Sequence, residues 1–302
     1  MSPQALAELV RKSSVSPYEE MVAYEYLYSL EKSSLKKMTE MTVLSGLLPT
    51  EALQELCGML KPEGLDIVQE YIDSKLGDFF VAVNNTPSWP DKLRDSEKPT
   101  PLFYYDGDIG LMEVPSISIV GSRKSSEDGL KRARRLAREL VDAGYVIVSG
   151  LAKGIDTAAM SSAIDEGGRV IGVIGTPIDE CYPKENQALQ DTVAERHLLV
   201  SQVPFYKYAN QPFNTRRFYF PERNELMAAI SDATVIIEAS DTSGTLTQAR
   251  ACRHQGRPLF ILRSCYENTD IEWPRKWAQR DNVYVIDSTD QILEVLRDDR
   301  NG

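Results

Sequence analysis

Three short β-branched runs, each stopped by a glycine, constrain this chain more than any other feature. They are Ile117-Ser118-Ile119-Val120-Gly121, Val146-Ile147-Val148-Ser149-Gly150 and Val170-Ile171-Gly172-Val173-Ile174-Gly175. A helical pattern from Ser126 to Ala143 separates the first two, and another from Gly154 to Glu166 separates the second from the third. Alternation of this kind builds a parallel sheet covered by helices. The carboxyl ends of such strands form the crevice where ligands bind. Glycines there let backbone approach a ligand, and the helix N-termini that follow offer N–H donors to an anion. The expectation is a phosphate-binding α/β domain.

The remaining composition narrows the function classes. A length of 302 residues fits one large domain or two ordinary ones, and a 42% apolar content can form a sizeable core. No apolar run approaches the roughly 20 residues that span a bilayer. Met1-Ser2-Pro3-Gln4 lacks the basic and apolar regions of a signal peptide, so the expected setting is cytoplasmic, away from membrane. Cys57, Cys181, Cys252 and Cys265 are scattered without metal-ligand spacing and read as idle thiols in a reducing compartment. With two histidines only, His197 and His254, metal or triad chemistry fits poorly, and no metal or cofactor is expected. A net charge of −11 argues against a generic nucleic-acid coat but leaves room for a local basic groove.

Taken in order, residues 1–83 read as a small helical domain. Apolar spacing is helical in Tyr18–Leu30, Leu44–Leu60 and Leu65–Phe80, with breaks at Pro49-Thr50-Glu51 and Lys61-Pro62-Glu63-Gly64, and Thr50 as an N-cap. Residues 84–115 are rich in Pro, Asn and Asp and read as a linker with extended pieces, fastened to the next domain by Trp89 and Leu102–Tyr105, with Asp106-Gly107-Asp108 as a turn. Residues 116–302 form the sheet domain. Arg123 stands in a strand-end loop, where a cation meets a bound phosphate. Lys131, Arg135 and Arg138 share a helix face that reads equally well as solvated. Asp156 falls in a first helical turn, as a cap or a ligand contact. Tyr182-Pro183 opens a helix to about Arg196, with Lys184 poorly placed for the dipole. His197–Ser201 reads as a strand and Val203–Thr215 as a loop. Arg216–Asn224 interleaves cations and aromatics ahead of a helix over Glu225–Ile230, a composition that suits single-stranded nucleic acid; core rings with solvated arginines are the other reading. The strand Thr234–Glu238 leads to Ser243-Gly244-Thr245, a second phosphate cradle. Strands at Pro258–Leu262 and Val283–Ile286 and a helix over Thr289–Leu296 complete the pattern.

Five motifs in this order resemble the DNA-processing protein A (DprA/Smf) family: Gly121-Ser122-Arg123, Ser149-Gly150-Leu151-Ala152-Lys153-Gly154-Ile155-Asp156, Tyr182-Pro183-Lys184-Glu185-Asn186, Phe220-Pro221-Glu222-Arg223-Asn224 and Ser243-Gly244-Thr245-Leu246. The resemblance covers about 87–262 and extends weakly to the N-terminus, similar to that family's sterile-alpha-motif-like domain. It implies an extended Rossmann-like parallel sheet with helices on both faces. It also implies a non-catalytic protein that binds single-stranded DNA in a basic pocket, forms a homodimer and assists a RecA-type recombinase in natural transformation. Carried over by motif, Arg123 would grip phosphate, with Gly121, Ser122, Ser149, Gly150 and Gly154 around it. Lys153 and Lys184 would add cations, Arg223 and Asn224 would touch backbone or base, and Ser243, Gly244 and Thr245 would complete the rim.

The chain also departs from the family pattern. Lys153 stands for Arg, Met160 for His, Gln202 for Glu, and Glu225 for a second Arg; Arg263-Ser264 replaces Pro-Gly, and no winged-helix pattern follows. These changes suit an alternative role, as an antitoxin facing a cognate toxin or as a nucleotide sensor in an anti-phage module. A further alternative is a nucleotide phosphoribohydrolase. That class carries an acidic pair after its Gly-Gly-x-Gly-Thr motif, where this chain has Thr247-Gln248. Gly121-Ser122-Arg123 is also unlike the Gly-x-Gly-x-x-Gly of a dinucleotide dehydrogenase.

Overall fold

The computed structural model describes residues 15–58 and 62–301, with side chains up to 297. Expectations on residues 1–14, Leu60 and Lys61 lie outside the described residues. Helix α1 (Pro17–Ser29) is capped by Ser16, whose Oγ accepts the Glu19 N–H. Helices α2 (Leu35–Met41), α3 (Pro49–Cys57) and α4 (Leu65–Asp73) follow. The N-cap of α3 is Leu48 and not Thr50: Pro49 takes the first helical position, and the Glu51 carboxylate reaches back to the Leu48 N–H at 2.8 Å. Thr50 instead gives its N–H and its hydroxyl to Glu20, at 2.9 and 2.7 Å. Helix α4 also stops earlier than Phe80. Phe80–Val83 forms strand β1, because a run of β-branched and aromatic residues suits a pleated ribbon better than a helix.

Strand β2 (Leu102–Gly107) pairs antiparallel with β1 and with β6 (Leu198–Ser201). Asp106 and Gly107 are therefore strand residues and not a turn. Gly107 has φ +96°, and a Cβ there would meet the His197 carbonyl oxygen at 2.1 Å, so only glycine lets β2 lie against β6. Between them run β3 (Ser116–Val120), α5 (Glu127–Asp142), β4 (Val146–Ser149), α6 (Ile155–Asp165), β5 (Val170–Ile174) and α7 (Gln187–Arg196). After β6 come α8 (Phe205–Asn210), α9 (Tyr219–Ile230), β7 (Ala233–Ile236), α10 (Thr245–His254) and β8 (Leu259–Leu262). The last elements are α11 (Arg263–Tyr266), α12 (Trp273–Trp277), β9 (Val283–Ile286) and α13 (Thr289–Asn301). Helix α8 falls where a loop is expected from sequence, and α9 begins six residues before Glu225.

The nine strands form one sheet in the order β1-β2-β6-β5-β4-β3-β7-β8-β9, parallel from β6 onward. The chain grows outward from β3 through β4, β5 and β6, then returns to the other side of β3 as β7. That reversal places a switch point between β3 and β7, where open α/β sheets bind their ligands. Side chains alternate across the sheet. Ile117, Ile119 and Ile147 pack with α5 and α6, while Val120, Val146 and Val148 pack with α9 and α10. This is the Rossmann-like arrangement with helices on both faces.

The N-terminal helices join this structure through a shared core. Met21, Tyr24 and Leu27 of α1 belong to the same apolar cluster as Ile117 and Ile119. Glu25 is fully buried at the junction. Its carboxylate accepts the Tyr104 hydroxyl at 2.5 Å and the N–H groups of Phe205 and Tyr206 at 2.8 and 3.0 Å, which caps α8.

Candidate nucleic-acid interface

The glycine that ends each central strand has a steric reason. A Cβ on Gly121 would meet the Ile155 side chain at 2.5 Å, and one on Gly150 would meet Arg223 Nη1 at 1.8 Å. Gly154, with φ +81°, lets the loop before α6 pass the Ser122 carbonyl oxygen, 2.4 Å from where a Cβ would stand. These close approaches draw the ends of β3, β4 and β7 together. The Ser122 N–H donates to the Glu238 carbonyl at 2.7 Å, and the Thr245 hydroxyl donates to the Gly121 carbonyl at 3.1 Å. Ser243 Oγ in turn accepts the Thr245 N–H at 3.2 Å.

A cavity of about 630 Å³ opens over this junction. Of the residues expected from sequence, Gly121, Ser122, Arg123, Arg223, Asn224, Ser243, Gly244 and Thr245 line it. Gly150 and Lys153 line a smaller adjoining lobe of about 170 Å³, which shares Arg123, Phe220 and Arg223 with the main cavity. Three expected residues stand apart. Ser149 is buried, and its hydroxyl donates to the Ile119 carbonyl inside the sheet. Gly154 contributes backbone shape only. Lys184 is exposed at the start of a 3-10 turn, Lys184–Asn186, outside both lobes.

The cations of the site come in two kinds. Arg123 is exposed, and its guanidinium lies 5.6 Å over the Phe220 ring, a cation–π contact. Arg223 is buried; Nη1 donates to the Val173 carbonyl at 2.7 Å, and Nε has no partner. Burial pushes the Arg223 guanidinium down to about 10, against the opposing pull of Asp156. Asp156, also buried, accepts the N–H of Gly150 at 3.1 Å. Burial pushes its carboxyl up, while Arg223 and the Ala152 and Gly150 amides pull it back. Lys153 is held by Glu185 at 2.5 Å.

Two helix N-termini expected to face an anion are already occupied. The Glu238 carboxylate accepts the Ser126 hydroxyl at 2.7 Å and the Ser126 N–H at 3.2 Å, closing the start of α5. Asp156 takes the amides of the loop that leads into α6. A further expectation also changes. Glu225, read from sequence as an anion near the groove, points to the other side of α9, where Lys98 holds it at 2.5 Å.

The Arg216–Asn224 stretch divides between its two readings. Tyr219 is core, packed with Val203 and Tyr208. Phe213 and Phe218 are 81% and 58% exposed, with the guanidiniums of Arg216 and Arg217 over them at 5.8 and 5.3 Å. Sequence reasoning did not single out Phe220, Met227 or Gln248 for the cavity wall. Phe220 belongs to a quoted motif, but Met227 and Gln248 sit in helix interiors with no local sign. Gln248 Oε1 is buried, lines the cavity region and has no partner.

Residues 80–297 match the family model of the DNA recombination-mediator protein A. The chain is 39% identical over 161 residues to DNA processing protein DprA of Streptococcus pneumoniae, and 28% identical over 264 residues to that of Bacillus subtilis. The latter match covers 87% of this chain and 86% of the relative. The chain spans about half the length of the S. pneumoniae relative (55%) and of protein Smf from Synechocystis (44%). The X-ray structure of S. pneumoniae DprA superposes with a TM-score of 0.72 at 27% identity, covering 93% of this chain and 98% of that one. A structure of DNA processing protein A from Helicobacter pylori, described for its single-stranded DNA binding mode, gives a TM-score of 0.61 at 26% identity, over 73% of this chain and 96% of that one. No helix among the described residues is long and apolar enough to cross a membrane. With well over half its length matched by the model, this chain belongs to the DNA recombination-mediator protein A family.

Proposed function

We propose that this protein binds single-stranded DNA through the sugar-phosphate backbone at the strand-end cavity, as a non-catalytic component of DNA processing and recombination. The observation that carries this reading is the convergence of exposed Arg123, stacked on Phe220, and buried Arg223 on one cavity at the β3/β7 switch point. Guanidiniums suit phosphate oxygens, and an aromatic wall suits an unpaired base. The H. pylori relative's single-stranded DNA binding mode adds support. A non-catalytic role agrees with the wall chemistry. Gln248, an amide that cannot shuttle protons, stands where the phosphoribohydrolase reading needs a carboxylic acid, and Asp156 is engaged by backbone amides. A homodimer, and a RecA-type recombinase or a toxin as partner, belong to the same proposal.

The test is fluorescence anisotropy with a labelled oligonucleotide at two salt concentrations. Affinity should fall steeply with salt, because each phosphate contact releases counterions. Arg123→Ala should weaken binding by about tenfold or more, the loss of one charge-assisted contact of about 1.5–3 kcal/mol. Unchanged affinity in Arg123→Ala, or displacement of the strand by a free mononucleotide at equal concentration, overturns the reading.

A further inference from the structure

Helix α9 is a partition. Phe220, Arg223, Asn224 and Met227 face the strand-end cavity, Glu222 and Glu225 face a second groove of about 510 Å³, and Pro221 borders both. The far wall of that groove is α2 and the turn after it, with Leu35, Thr39 and Leu44, and Pro99 closes one side. Its floor is apolar, and Leu44 on it is 69% exposed. Its rim is acidic. Lys36 and Lys98 neutralise Glu40 and Glu225, but Glu97 and Glu222 have no ion-pair partner among the described residues. The carboxylates on the α9 wall are also under-satisfied. Glu225 Oε2 is buried without a hydrogen-bond partner, and Glu222 accepts no hydrogen bond from the described chain. Burial pushes the Glu222 carboxyl up to about 7, opposed by the Lys207 ammonium.

An acidic rim repels nucleic-acid phosphate, so this groove is no continuation of the first cavity. An apolar floor beside two half-buried carboxylates, one with an unpartnered oxygen, fits the apolar stripe of a helix with a cation at one end. We propose that the groove docks an amphipathic segment of a partner protein, its apolar side chains on Leu35 and Leu44 and a Lys or Arg between Glu222 and Glu225.

The test pans a library of random short peptides on the intact protein. Enriched peptides should carry helically spaced apolar residues beside Lys or Arg. They should bind Leu44→Asp and the Glu222→Gln/Glu225→Gln double variant about tenfold more weakly than wild type. They should bind Arg123→Ala as tightly as wild type, which separates this groove from the DNA cavity. Melting curves check that the variants fold. No enrichment, enrichment of acidic peptides, or equal binding to folded groove variants overturns the proposal. So does a wild-type dimer that Leu44→Asp splits, since a second copy then covers the groove.

Discussion

Glu25→Ala is expected to lower the unfolding free energy at pH 6 by about 3 kcal/mol, because two backbone N–H groups and one hydroxyl lose their buried acceptor at about 1–3 kcal/mol each. Those groups are the amides of Phe205 and Tyr206 and the Tyr104 hydroxyl. Urea unfolding at fixed pH measures the change. The loss should depend on pH in a direction opposite to that of an ordinary paired carboxylate. Burial pushes the Glu25 carboxyl up to about 7 in the folded protein, against an ordinary value of 4.5. The folded state therefore holds a proton that the unfolded state has released, throughout the interval between those values. Its contribution to stability is fully present below the unfolded value and is lost as pH rises through 7. Wild-type stability should fall from pH 5 to pH 7 by up to about 1.4 kcal/mol per unit from this group, and Glu25→Ala should remove that contribution. Glu222, also pushed up to about 7 by burial, keeps a similar slope in the variant, so Glu25→Ala should roughly halve the wild-type slope; a slope unchanged by Glu25→Ala places that proton elsewhere.

The second large effect is expected at Gly150. Alanine there places a methyl 1.8 Å from Arg223 Nη1 and 2.5 Å from Cζ, so the guanidinium has to leave its seat against the Val173 carbonyl. Overpacking of this kind costs about 1–3 kcal/mol. Binding should suffer as well. With Arg223 displaced, the cavity loses its one fully buried cation among the described residues, and affinity for an oligonucleotide should drop about tenfold to a hundredfold, as for removal of a charge-assisted hydrogen bond. Arg223→Met, which removes the charge and keeps the volume, should match it. Strong binding by Gly150→Ala beside weak binding by Arg223→Met would mean that the guanidinium adapts, and that the glycine serves packing alone.

Much of the architecture is legible in the chain because the central strands are nearly continuous apolar runs, as strands buried on both faces must be. Ile117–Val120 and Val170–Ile174 need no partner to be read. The β1–β2 pair is harder, since a connection rich in Pro, Asn and Asp over residues 84–101 separates the two strands, and the polar turn at Asp106-Gly107 is overridden by pairing with Leu199 and Leu198. Helix α8 is invisible locally for a similar reason: its cap, Glu25, lies 180 residues upstream of Phe205. At the site, the glycine-stopped loops point to Gly121, Arg123, Gly150 and Ser243 directly. Met227 and Gln248 carry no such mark, because a helix interior shows its period and not which neighbour it faces. Ser149 and Lys184 show the converse. A motif position adjacent to the site in sequence need not face it, as strand alternation turns the Ser149 hydroxyl inward.

The carboxylates of Glu238 and Asp156 at the starts of α5 and α6 bear on selectivity. A rigid cage of backbone amides recognises one phosphate in one orientation, the requirement of a nucleotide with a terminal phosphate. Here Glu238 already holds the Ser126 amide and Asp156 the Gly150 amide, so the exposed side chains of the loops are what the cavity offers a phosphate. Arg123 and Lys124 stand exposed on long side chains around the buried Arg223, Arg123 stacked on Phe220 and Lys153 paired with Glu185 at the edge of the smaller lobe. Such a grip follows a polymer whose successive phosphates shift with every backbone torsion. On the proposed reading, such a site would trade sharp discrimination of any single group for tolerance of many strand conformations.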